Sequence, residues 1–284
     1  MDPTPPFFSR FIAIESAGFR ILQSAFFALS VAALVACGGR QTPPPADAVE
    51  DPVVLFEAVL SRLEAVESAR LRATLEYYGD SGRVRVEQVV LARQPGDVRI
   101  ETLSPFGPTL AVFVANDSML SFYDAQAEDF YTGAPSQANI ARLLPMRLTQ
   151  GDIVRVLLGA PPLDAVNGDP HTYTVEWDRE RAAYHMRMPL ADGTGDLQVW
   201  IRHGTWTMTA AERGGRDGFL LLTGRLETHD VDGFETEMPQ RIEFEMPEQD
   251  VDISLDVERI ELNPTLSDAL FELRAPRSAT VIDL

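Results

Sequence analysis

Residues 242–260 read IEFEMPEQDVDISLDVERI. Ile242, Phe244 and Met246 alternate with Glu243 and Glu245, and after Pro247 the alternation resumes as Val251, Ile253, Leu255 and Val257. A period of two places one set of side chains on each face of a strand, here apolar on one and charged on the other. Two such runs separated by a few turn-forming residues predict an antiparallel pair with one face on a core. Ile260 falls out of phase with Val257, which predicts a β-bulge.

The pattern recurs on both sides of this stretch. Tyr173, Val175 and Trp177 alternate, then Tyr184, Met186 and Met188, then Leu197, Val199 and Ile201; Val84 and Val86 alternate with Arg83 and Arg85. Thr109–Ala115 and Ser118–Tyr123 are denser apolar runs. Asp192-Gly193, Gly214-Gly215 and Asp232-Gly233 supply turns between runs, so the strands form an antiparallel meander. Three segments have helical spacing instead. Asp51-Pro52 reads as an N-cap with proline in the first turn, and Val53, Phe56, Val59, Leu60, Leu63 and Val66 carry that helix to about Ala69. Ser136–Leu144 and Gln150–Leu158 form a helical pair separated by Pro145. The fold class is α+β, a curved antiparallel sheet wrapping a few helices.

Composition excludes several functions. The net charge is −19, and every arginine or lysine is an arginine. Such a surface repels phosphate backbones, so no nucleic-acid partner is expected, and it repels anionic lipid. Cys37 is the single cysteine, so no disulfide forms within the chain. The four histidines, His171, His185, His203 and His229, lack metal-ligand spacing, and no metal or cofactor is expected. Gly79-Asp80-Ser81-Gly82 resembles a serine-protease motif but lies in a polar turn, outside the strand–turn–helix setting of a nucleophile elbow. No enzyme is expected; a lipid-modifying hydrolase would rest on Ser81.

The apolar stretch Ala25–Ala36 ends at Cys37. Leu34-Val35-Ala36-Cys37-Gly38 resembles the lipobox of bacterial lipoproteins, with Arg10 and Arg20 as the basic region before it. The resemblance implies cleavage before Cys37, acylation of its thiol and amine, and, with Gly38 next, export to the periplasmic face of the outer membrane. The alternative, a transmembrane helix over Ile21–Ala36, falls short of the about 20 apolar residues a span needs. Residues 1–36 are thus read as a signal peptide, 37–51 as a lipidated cysteine with a Pro-rich tether, and 52–284 as the domain. Residues 1–36 carry two arginines and two carboxylates (Asp2 and Glu15), so their removal leaves the charge unchanged.

Three further stretches carry a family resemblance. Leu103-Ser104-Pro105-Phe106-Gly107-Pro108-Thr109-Leu110 and Ala141-Arg142-Leu143-Leu144-Pro145-Met146-Arg147-Leu148, running on to Leu157-Leu158-Gly159-Ala160-Pro161, resemble the LolB family of outer-membrane lipoprotein receptors. Leu262-Asn263-Pro264, with Phe271-Glu272-Leu273 and Pro276, resembles the C-terminal end of the wider LolA/LolB-like superfamily. The chain departs from LolB in an extended strand region after Gly159. The resemblance implies a half-open β-barrel with a helical lid, acylated lipoproteins or other lipids as ligands, a periplasmic LolA-type carrier as partner, and insertion of cargo into the outer membrane.

It also implies roles for residues. Phe106, at the tip of a Pro-Gly turn, corresponds to an apolar residue that enters the membrane; the alternative is that it folds back on the core. Val112, Val114, Leu120, Phe122, Phe130 and Leu144 are candidates for an acyl-chain cavity, and Leu143, Met146, Val154 and Leu157 for its lid. The simpler reading of each is that it packs a filled core. A filled core would suit a second reading, an envelope scaffold that reuses this fold to hold a protein partner.

Overall fold

The computed structural model describes residues 41–79, 82–104, 108–215, 218–231 and 233–284. Cys37, Phe106 and Ser81 lie outside them. Helix α1 spans Pro52–Glu64, with Asp51 as N-cap accepting from the Val53 amide. Six strands follow: β1 (Ser68–Gly79), β2 (Gly82–Arg93), β3 (Asp97–Leu103), β4 (Thr109–Ala115), β5 (Leu120–Asp124) and β6 (Asp129–Gly133). Helices α2 (Gln137–Leu143) and α3 (Gln150–Leu157) come next. The remaining strands are β7 (Thr174–Asp178), β8 (Ala183–Pro189), β9 (Asp196–Ile201), β10 (Met208–Arg213), β11 (Phe219–Val231), β12 (Phe234–Met246), β13 (Val251–Leu262) and β14 (Thr280–Asp283).

All fourteen strands join one open sheet, in the order β14-β6-β5-β4-β3-β2-β1-β13-β12-β11-β10-β9-β8-β7. Two meanders, β1–β6 and β7–β13, are stitched together where β1 pairs with β13. The pairing is antiparallel throughout the meanders; β14 adds to β6 in parallel, an exception the meander pattern did not predict. The sheet bends strongly. Ile100 on β3 and Leu221 on β11 face the same cavity although four strands separate them. A flat sheet would hold them about 24 Å apart at about 4.8 Å per strand.

The predicted bulge is present on β13. Ala73 pairs with Val257 and Arg72 with Arg259, so Glu258 is the extra residue. The first helix ends earlier than its periodicity predicts. Asn263 ends it from across the chain: its Oδ1 accepts from the Glu67 and Ser68 amides, and its Nδ2 donates to the Ala65 carbonyl. The chain turns there into β1, whose Ala69, Leu71, Ala73, Leu75 and Tyr77 alternate inward. A long-range side-chain clamp thus overrides local helical spacing. The convex face of β1, β2 and β13 carries exposed pairs such as Arg70–Glu261 and Arg72–Glu87. The C-terminal segment crosses the convex face further along, where Leu266 and Phe271 pack on Leu91, Val112 and Val114.

The described part of the Pro-rich tether is docked on the sheet. The Thr42 amide donates to the Arg179 carbonyl at 2.8 Å, and Trp177 Nε1 donates to the Thr42 carbonyl at 2.9 Å. The Val49 amide donates to the Tyr184 hydroxyl at 3.0 Å, and Asp47 lies 3.4 Å from His203. These contacts hold the strap against the β7–β8 hairpin.

Candidate functional site: an apolar cavity beneath a short helix

The concave face of the sheet holds a cavity of about 90 Å³. Its floor comes from the inward residues of five central strands: Leu75, Val90, Ile253, Leu255, Ile242, Phe244 and Leu221, with Ile100 from β3. Its roof is Ile153, Val156 and Leu157 of α3 and the loop Leu144–Leu148 that joins α2 to α3. Gln88, on β2 between the inward Val86 and Val90, is the one polar side chain on the wall among the described residues. Its Nε2 donates to Thr102 Oγ1 at 3.3 Å, near the long limit for such a bond.

The roof is pinned at both ends. At the start of α3, Thr149 caps the helix by accepting from the Asp152 amide at 3.1 Å. Asp152 sits in the first turn, where the helix dipole favours an anion. Arg155 bridges Asp152 and Asp164, both at 2.7 Å, and Thr149 donates to Asp164. Burial, reinforced by the neighbouring Asp164 charge, pushes the Asp152 carboxyl above the ordinary carboxylate value.

At the far end of α3 stands Arg62 of α1, which is 1% exposed. Its guanidinium donates to the Leu158 carbonyl at 2.6 Å and to the Glu237 carbonyl at 2.5 Å. A cation at a helix C-terminus answers the unpaired carbonyls there. Burial lowers the Arg62 pKa to about 10, against the pull of Glu237, which leaves it charged at neutral pH. Gly159 follows with φ +74°, and a Cβ there would stand 3.0 Å from Arg62 Nη2. The turn therefore needs glycine for both its backbone and its space.

Of the predicted cavity residues, Leu144 lines the cavity. Leu120 and Phe122 are buried in the same main core but off the cavity wall. Val112 and Val114 lie in the separate cluster beneath the C-terminal segment, and Phe130 is buried on β6. Of the lid residues, Met146 and Leu157 contact the cavity, while Leu143 and Val154 are buried in the main core off its wall. Sequence reasoning missed Gln88, whose inward position follows from the Val84–Val86 alternation. It also missed Arg62, which shares a helical stripe with Leu55, Val59, Leu63 and Val66. Among the described residues no group of acidic, histidine or cysteine side chains could hold a metal ion, and no helix is long and apolar enough to cross a membrane.

No protein-family model matches this chain, and no curated protein matches it. Solved structures do match. A LolA superfamily protein from Nitrosomonas europaea aligns with TM-score 0.52 at 14% identity, over 80% of this chain and 99% of the other. A domain from Vibrio parahaemolyticus, given as an outer membrane lipoprotein-sorting protein, aligns with TM-score 0.55 at 10% identity, over 78% and 97%. The fold is LolA-like. A DUF1329 family protein from Desulfovibrio piger shares it, with TM-score 0.54 at 15% identity over 79% and 98%. At such identities the likeness concerns the LolA-like fold, and the chemistry of the site rests on the cavity residues themselves.

Proposed function

We propose that this chain is a lipid-anchored binding protein that takes up acylated lipoproteins and passes them into the outer membrane. The observation that carries the reading is the apolar cavity between the concave sheet and α3. It supplies an apolar wall with no charged side chain among the lining residues, as an acyl chain requires. The LolA-like fold supports the same reading. The protein is a binding module and not an enzyme. The sheet acts as a half-open barrel, with α2, α3 and the Leu144–Leu148 loop as its lid. Cys37 carries the acyl anchor at the periplasmic face, Phe106 enters the lipid, and a LolA-type carrier delivers the cargo.

At about 90 Å³ the cavity is smaller than the roughly 300 Å³ at which ligand pockets begin, so on this reading uptake requires the lid to lift. The same small volume favours the second reading, a filled scaffold that holds a protein partner. Binding of a diacylated lipopeptide and of its unacylated twin to a soluble Cys37→Ala domain (residues 37–284) decides between them. The acylated peptide should bind at least about tenfold more tightly, a difference of about 1.4 kcal/mol. Equal binding of the two, or none, overturns the transport reading in favour of the scaffold.

A further inference from the structure

Gln88 is a costly residue to keep in this wall. A buried amide has two N–H donors and a carbonyl acceptor to satisfy. The neighbour it reaches, Thr102 Oγ1, answers one donor through a bond of 3.3 Å. A valine, as at positions 86 and 90 on the same face of β2, would fill the place without that cost. The position of the pair is informative. Gln88 faces Thr102 in the β2–β3 register, one inward step beyond the Val90–Ile100 pair. Leu103 then ends β3, and the chain enters the loop that holds Phe106. Gln88 is therefore the one point on an otherwise apolar wall that offers a hydrogen bond, at the level where β3 runs out. A lipid seated along this wall has one group that seeks such a donor, the carbonyl that links its chain to the polar body.

The wall also restricts what that linkage can be. A carboxylate brought to this point meets no cation on the wall, and a buried anion without a partner is strongly disfavoured. The buried Arg62 is already engaged with the Leu158 and Glu237 carbonyls and is not part of the wall. A neutral carbonyl, by contrast, accepts an amide hydrogen bond without carrying charge into the cavity. We propose that the cavity selects acyl chains carried through a neutral ester or amide linkage over free fatty acids, and that Gln88 is the specificity-determining donor to that linkage carbonyl. This rests on the acyl-binding reading above.

The test compares three probes on the soluble domain by titration: an ester-linked diacylglyceryl lipopeptide, its dialkyl ether analogue without carbonyls, and free palmitate. The parent protein should bind the ester about tenfold more tightly than the ether, as one hydrogen bond to the carbonyl allows, and palmitate should be the weakest. Gln88→Met, which keeps the shape and removes the donors, should bring ester and ether within about twofold while ether binding is retained. Equal binding of ester and ether by the parent protein overturns the proposal, and that comparison needs no variant to fold. So does palmitate binding as tightly as the ester, or a Gln88→Met protein that keeps the ester preference. If neither ester nor ether binds at all, the acyl-binding reading itself is what fails, and this proposal falls with it.

Discussion

Arg62 shows how one residue can hold a roof in place. Its charge is buried without a carboxylate bonded to it; the partners are two main-chain carbonyls, one at the end of α3 and one on β12. Removing the guanidinium leaves both carbonyls short of a donor in a dry site, at roughly 1–3 kcal/mol for such a group, partly offset because no charge is then buried. Arg62→Met should therefore lower stability by about 1–3 kcal/mol in a urea titration. The loss should be the same at pH 6 and pH 8. Arg62 loses its proton only near pH 10, so both its folded and unfolded forms stay charged across that interval. A variant as stable as the parent would show that the two carbonyls find other donors. Arg62 was legible in principle, because Leu55, Val59, Arg62, Leu63 and Val66 lie on one stripe. The choice of carbonyl partners was not, since they stand 96 and 175 residues away.

At the scale of elements, α3 is the piece whose hold on the sheet should respond to pH. Asp152 faces Arg155, Asp164 and the Thr149 cap, and its folded pKa lies above the unfolded one. In the interval between those two values the folded state binds more protons than the unfolded state, so stability falls as pH rises. The contribution of Asp152 is thus fully present below the ordinary carboxylate pKa and is lost as pH climbs through the raised one. Asparagine keeps an oxygen for the Asp164 amide and stays neutral, and Arg155 keeps Asp164 as partner. The melting temperature of Asp152→Asn relative to the parent should be more favourable at pH 7 than at pH 4; the opposite trend would mean that the Arg155 ion pair outweighs burial. Local signals found this helix: its residues have helical spacing over 150–158, after Pro145 breaks the pair. They also found the strands of residues 173–201 and 242–257 and the bulge at Glu258. They missed the end of α1, which is fixed by Asn263 from the opposite end of the chain. They also misassigned the face of β4. Val112 and Val114 look like the cavity candidates, but the burial of all of Ala111–Ala115 hides which set points inward, and the C-terminal segment covers the other.

At the scale of the molecule, the docked strap lies at one end of the strands, and the end of β3 and start of β4, between which Phe106 falls in the sequence, lie at the other. In a meander, alternate turns fall at opposite ends. The β7–β8, β9–β10 and β11–β12 turns share one end, while the β12–β13 and β1–β2 turns and the β3–β4 loop share the other. Thr42 is bonded to Arg179 in the β7–β8 turn. With Cys37 acylated as proposed, five residues of chain, at most about 18 Å, separate the anchor from that turn. The docked form should therefore turn the exposed Arg179 and Arg181 towards the bilayer and the Phe106 loop away from it. An approach through arginines also suits a body of net charge −19 beside anionic lipid. Insertion of Phe106 then requires the strap to come off, which lengthens the tether by residues 42–49. Acylated protein in vesicles, labelled through an introduced cysteine at Glu180→Cys or Glu248→Cys, measures this directly. A headgroup quencher should reach the label at 180 several-fold more than the label at 248 on the β12–β13 turn. Trp177→Phe, which removes the indole donor to the Thr42 carbonyl, should shrink that difference and raise lipid contact at the far end. Equal quenching of the two labels in the parent protein would mean that the strap does not set the orientation, and Phe106 would then have access to lipid without any release step.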